Sequence, residues 1–176
     1  MEAQQAKARK FVLNYGLLLG ILLVTLGVIM YVTNNHLDPH WSFMLISFAI
    51  FIAVVVYGIK AFKKENAGFL SLGEAIKVAV GIGLVAAILG GIWNVLLATV
   101  IEPDYMEQMS EFQREQMIER YPEMADAQIE QALEMTATFS SPWVSFAMVL
   151  VMYMLFGLVL GLIAGLIMKQ KRPYDV

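Results

Sequence analysis

Four apolar blocks, each long enough to cross a bilayer, constrain this chain more than any other feature. Crossing a hydrocarbon layer of about 30 Å as a helix takes about 20 mostly apolar residues, and backbone groups there find no water partner. The first block runs from Phe11 to Thr33 and the second from Trp41 to Ile59; neither holds a charge. The third, Ala75 to Ile101, carries only Lys77 in its first turn, and the fourth, Trp143 to Met168, is uncharged until Lys169. Buried helices of soluble domains rarely run this long without a charge. An all-α, four-transmembrane-helix bundle is therefore expected, with spans at 11–33, 41–59, 75–101 and 143–168. Tails at 1–10 and 169–176 and connections at 34–40, 60–74 and 102–142 complete the chain. Lys7, Arg9 and Lys10 precede the first span as in a secretory signal. The run is too long for one, however, and no small-x-small site precedes Asn34, so a retained anchor is expected.

Charge orients the spans. Lys and Arg near span ends stay cytoplasmic, whereas acids contribute little. Basic clusters lie in the first tail, in the second connection (Lys60, Lys63, Lys64) and in the last tail (Lys169, Lys171, Arg172). The first connection has no Lys or Arg, and the third sets Arg114 and Arg120 against an acid ladder. Both termini are thus expected on the cytoplasmic side of the membrane. The basic face would meet anionic lipid, at about 1 kcal/mol per cation.

Lipid tails are as apolar as leucine, so helices in a membrane associate through small residues that allow close approach. Span three carries Ala75, Ala79, Gly83, Ala87 and Gly91 at a spacing of four; span four carries Gly157, Gly161 and Gly165; span one has Gly16 and Gly20. Spans three and four should therefore meet backbone to backbone. Span two has no such stripe and should face more lipid. Ser71 and Glu74 fit a capping box opening span three, with Glu74 also in reach of Lys77, and Pro142 suits the first helical position of span four. Trp41 and Trp143 suit a membrane interface.

From Glu102 to Ser141 the third connection is polar yet helix-like, lacking glycine and holding proline only at Pro103 and Pro122. These prolines suggest two helix starts. Tyr105, Met106, Met109, Phe112, Gln116 and Met117 form one face, opposite Glu107, Glu111, Glu115 and Glu119. The second helix would turn Ala125, Ile129, Ala132, Thr136 and Phe139 inward, giving an extracytoplasmic amphipathic hairpin.

Several chemistries find no residues to support them. The chain has no cysteine. His36, Asp38 and His40 come nearest to a metal-ligand set, but Pro39 prevents helical spacing and no further histidine exists to complete it. Met106 and Met109 could act as thioether ligands, yet the hairpin needs them as apolar surface. No acid, arginine or histidine lies within the spans, which argues against ion-coupled transport. Phosphate loops and nucleic-acid surfaces are missing, and no cofactor is expected. Asn94 is the notable intramembrane polar group, expected to bond across a helix interface.

Four spans, the Phe69-Leu-Ser-Leu-Gly-Glu-Ala75 start of span three, the Glu102-Pro-Asp-Tyr105 step leaving it, the Met- and Glu-rich segment and the Ser-Pro start of span four resemble a bacterial membrane family, domain of unknown function 4199. The resemblance covers about Ala8 to Met168 and implies this topology in a bacterial inner membrane, without functional residues. A non-enzymatic scaffold or accessory subunit is expected, meeting a protein partner through the hairpin or forming a homo-oligomer. The alternative is a small oligomeric channel or transporter with Asn94, Thr99 and Tyr153 along a path.

Overall fold

The computed structural model describes residues 7–139 and 141–170; Lys171 and Arg172, and the side chain of Phe139, fall outside the described set. Four helices are long and apolar enough to cross a membrane: α1 (Ala8–Val32), α2 (Trp41–Glu65), α3 (Leu72–Leu96, extended by a π-helical turn at Leu97–Ile101) and α6 (Pro142–Met168). Two shorter helices, α4 (Tyr105–Arg120) and α5 (Asp126–Phe139), connect α3 to α6. No strand occurs among the described residues, only a bridge in which Leu70 and Gln170 exchange backbone hydrogen bonds.

Local chemistry sets the helix ends. Ser71 and Glu74 form the capping box: the Ser71 hydroxyl accepts from the Glu74 amide (3.2 Å) while the Glu74 carboxylate accepts from the Ser71 amide (2.8 Å) and hydroxyl. That carboxylate is thereby engaged, and it makes no ion pair with Lys77 among the described residues. The Ser141 hydroxyl accepts from the Val144 amide ahead of Pro142. Helix α1 ends with Asn34 left-handed (φ 54°), which lets the Asn35 amide reach the Met30 carbonyl at 2.8 Å; asparagine tolerates that conformation. Helix α2 ends similarly, with the Gly68 amide donating to the Lys63 carbonyl, but Ala67 holds the left-handed position (φ 56°). A side chain there costs about 1–2 kcal/mol.

Helix α3 is the spine, and its small residues decide what it touches. On one side it meets α6, which runs antiparallel. A Cβ at Gly157 would lie 2.9 Å from the Ala79 carbonyl oxygen, one at Gly161 2.8 Å from the Ile76 Cα, and one at Gly165 3.0 Å from the Ala75 Cβ. Facing them, a Cβ at Gly83 would lie 2.8 Å from the Tyr153 carbonyl oxygen, and Gly91 opens onto the Phe146 ring. Ala75, Ala79 and Ala87 are fully buried. On another side α3 meets α1, which runs parallel: Gly16 receives Val85, Gly20 receives Leu89, Gly27 receives Trp93, and Gly81 receives Val12.

Span two does not sit at the periphery as its composition suggests. Phe51, Val54, Val55, Gly58, Ile59 and Phe62 are buried, and Gly58 lets Ile82 of α3 approach. Span four buries the smallest share of its apolar residues. Its contact uses only a narrow glycine seam, leaving the bulky residues between the glycines for lipid.

The hairpin begins later than its prolines suggest. Pro103 and Asp104 form a turn before α4, and Pro122 to Ala125 form another before α5, with the Met124 amide donating to the Tyr121 carbonyl. No residue of α4 is buried. Among the described residues of α5, Ile129 is buried, at 2% exposure, while Ala125 and Gln116 are exposed rather than turned inward.

Gly161→Ala should lower Tm by an amount equivalent to about 1–3 kcal/mol, since the new methyl meets backbone that cannot yield; Gly161→Leu should do worse. Gly73→Ala, with open space around its Cβ, should raise stability by about 0.5–1 kcal/mol. Equal effects at the two glycines would contradict the seam. Ala67→Gly should raise Tm in the same detergent assay, because glycine removes the left-handed penalty.

Candidate binding site: a polar cavity at the hairpin end of the bundle

The π-helical turn that ends α3 decides where the following residues point. An i to i+5 turn holds one more residue than an α-turn and is frequent at functional sites. Its closing bond runs from the Glu102 amide to the Leu97 carbonyl (2.8 Å), and the Tyr105 amide then donates to the Glu102 carbonyl (2.9 Å). The chain doubles back, and the Glu102 carboxylate returns over the bundle.

It meets His36 there. The His36 Nε2 lies 3.2 Å from Glu102 Oε2, with side-chain exposures of 11% and 19%. The ring packs between Tyr31 of α1 (centroids 5.2 Å) and Tyr105 of α4 (6.0 Å, stacked). Gln108 donates to the other carboxylate oxygen at 2.8 Å. Both His36 ring nitrogens and Glu102 Oε2 are buried without an aligned hydrogen bond, an arrangement that costs free energy and calls for explanation. The Tyr105 phenol is pushed above its usual 10.0, first by burial and then by the neighbouring Glu102 carboxylate.

Below this cluster lies a cavity of about 210 Å³. Its polar lining comes from His36, Ser47, Trp93, Asn94, Tyr105 and Tyr153, one or more from each of α2, α3, α4 and α6; Leu23, Gly27 and Met30 of α1 form an apolar wall. Asn94 does not bridge helices. Its amide donates to the Gly90 carbonyl of its own helix at 3.0 Å, and the residue is exposed. Thr25, Ser47 and Thr99 likewise bond back to carbonyls four residues earlier.

The three residues nearest to a metal-ligand set diverge. His36 turns inward, Asp38 is exposed, and His40 caps α2 by accepting from the Ser42 amide at 3.4 Å. No group of three or more His, Cys, Asp or Glu residues gathers among the described residues. Met106 and Met109 line a cleft of about 290 Å³ between α4, α5 and Pro142. Nothing in the sequence pairs His36 with Glu102 or places Trp93 and Tyr105 in the lining; the structure brings them together.

Replacing Glu102 by Gln or His36 by Ala should each cost about 1–3 kcal/mol, as a buried group loses its partner. The His36→Phe, Glu102→Met double variant should recover part of that loss; strictly additive costs would show that the two are uncoupled. Because folding raises the Tyr105 value, the fold favours its neutral form. That contribution is complete below about pH 10 and is lost as pH rises through the folded value. Ultraviolet titration should show the Tyr105 phenol ionising late, a component lost in Tyr105→Phe and shifted to an earlier onset in Glu102→Gln.

No curated protein and no solved structure matches the chain. A family model described as Protein of unknown function (DUF4199) matches residues 14–170. Covering all four spans, the hairpin and the cavity lining, that match means the chain belongs to this family of unknown function.

Proposed function

We propose that this protein is a non-enzymatic scaffold or accessory subunit of a bacterial inner membrane, using its hairpin to meet a basic surface on a partner protein. The observation that carries this reading is how little the hairpin buries: α4 has no buried residue, and Glu107, Glu111, Glu115 and Glu119 are all exposed. Like charges at that spacing each cost a few tenths of a kcal/mol in an isolated helix. A cationic partner would reverse that cost. At the opposite end Lys7, Arg9, Lys10, Lys60, Lys64 and Lys169 are exposed, which supports an N-in, C-in orientation against anionic cytoplasmic lipid. The Thr25, Ser47 and Thr99 hydroxyls, spent on their own helices, fit structural roles better than chemistry.

The channel alternative has Asn94 and Tyr153 on one cavity, but Thr99 lies outside that lining and bonds to the Val95 carbonyl. The scaffold reading is therefore preferred.

The absence of cysteine in the chain makes the test clean. An impermeant maleimide should label Glu115→Cys in intact cells and Lys64→Cys only after lysis. A photocrosslinker at Gln113 should capture a second protein, and neutralising the four ladder glutamates to Gln should abolish the adduct. Labelling from the opposite side would overturn the orientation. Adducts only with a second copy of this chain, or none, would overturn the partner.

A further inference from the structure

The polar cavity does not end at its polar lining. Leu23, Ser47 and Tyr153 also line a second pocket of about 80 Å³, whose remaining walls are Phe48, Phe51 and Phe156. That pocket is almost wholly apolar and lies between α2 and α6, which meet there through aromatic side chains. Phe48 and Phe156 close its side in an edge-to-face pair, centroids 5.1 Å apart, and Phe48 is exposed where lipid would be. A polar chamber thus adjoins an apolar slot facing the bilayer.

The chamber has unspent hydrogen-bonding capacity. Among the described residues, the Trp93 indole N–H, the Tyr153 hydroxyl and the Asn94 amide oxygen take no hydrogen-bond partner, and His36 Nδ1 at its roof is buried without one. Asn94 is exposed within a span, where hydrocarbon contact would leave its amide unsatisfied. No Lys or Arg lines the chamber, and the Glu102 carboxylate stands behind His36. A phosphate-bearing head would meet repulsion and no counter-charge.

The geometry points to a lipid-binding site: an uncharged amphiphile with hydrogen-bonding oxygens on its head, such as an acylglycerol or a quinone. The head occupies the chamber against Asn94, Tyr153 and Trp93, and the tail leaves past Phe48 and Phe156. This inference stands apart from the hairpin partner, since it uses neither the acid ladder nor the orientation.

The test reads Trp93 alone, in the full chain carrying Trp41→Phe and Trp143→Phe, in nanodiscs. Three quenchers are titrated: brominated diacylglycerol, decylubiquinone and brominated phosphatidylglycerol. Quenching that saturates with diacylglycerol or with the quinone is expected, and whichever saturates identifies the head. Phosphatidylglycerol should quench only in proportion to its abundance. Asn94→Ala and Tyr153→Phe should each shift the saturation midpoint about fivefold to tenfold, the effect of one lost hydrogen bond. Should Asn94→Ala also lower Tm, Tyr153→Phe, which removes a single oxygen, decides alone. Unsaturable quenching by all three, equal saturation by phosphatidylglycerol, or a midpoint unmoved in Tyr153→Phe would overturn the site.

Discussion

The backbone-to-backbone seam between α3 and α6 is the constraint on which the rest depends. In a bilayer no hydrophobic gain draws apolar helices together, so contact must come from dispersion between surfaces that fit. Gly157, Gly161 and Gly165 present that surface, and the Ala75–Ala79–Gly83 face of α3 receives it. Fixing α6 this way leaves α3 free to meet α1 on a separate face, where Gly16, Gly20 and Gly27 admit Val85, Leu89 and Trp93. Span two then fills the remaining side with buried Phe51, Val55, Ile59 and Phe62.

The seam also explains the cavity. Backbones in contact along α3 and α6 put bulk elsewhere, and toward the hairpin end Gly90 has no neighbour within reach of a Cβ. There α6 meets α3 through the Phe146 ring and meets α2 through Phe51, Tyr153 and Phe156, and the gap between these side chains is lined rather than filled. His36 and Glu102 cap it, drawn together by a π-helical turn that redirects the chain after Ile101. The two ends of the bundle differ accordingly. At the basic end Leu70 pairs with Gln170, and Lys63 donates to the Met168 carbonyl; those bonds close the bundle where the other end stays open.

Much of this was legible in the sequence, for reasons specific to membranes. Uncharged blocks can satisfy their backbone there only as helices, so the number of helices able to span followed from hydropathy. The capping box at Ser71 and Glu74 is a local device and was readable as such. The glycine stripes named the helices able to approach closely, although only the structure shows which residue enters each notch. The burial of span two was not legible, because Phe, Ile and Val suit lipid and core equally well. Asn94 was expected to cross an interface, but nothing in sequence shows that its nearest acceptor is the Gly90 carbonyl. The start of α5 was misplaced by Pro122, which forms a turn, and Gln128 then accepts from the Ala125 amide before the helix proper. The site at His36 stayed hidden because its partner is distant in sequence and the π-helical turn has no residue signature.

The central claim is that the glycine seam lies within one chain rather than between copies. A Cβ at Gly165 would lie 3.0 Å from that of Ala75, shorter than the roughly 3.5–4.5 Å a disulfide spans, so a shift of under about 1 Å brings the pair into bonding range. In a chain without native cysteine, Ala75→Cys with Gly165→Cys should form an intramolecular disulfide on mild oxidation, read as a faster monomer band on non-reducing gels. A disulfide found only in dimers would contradict the account and move the seam to a subunit interface.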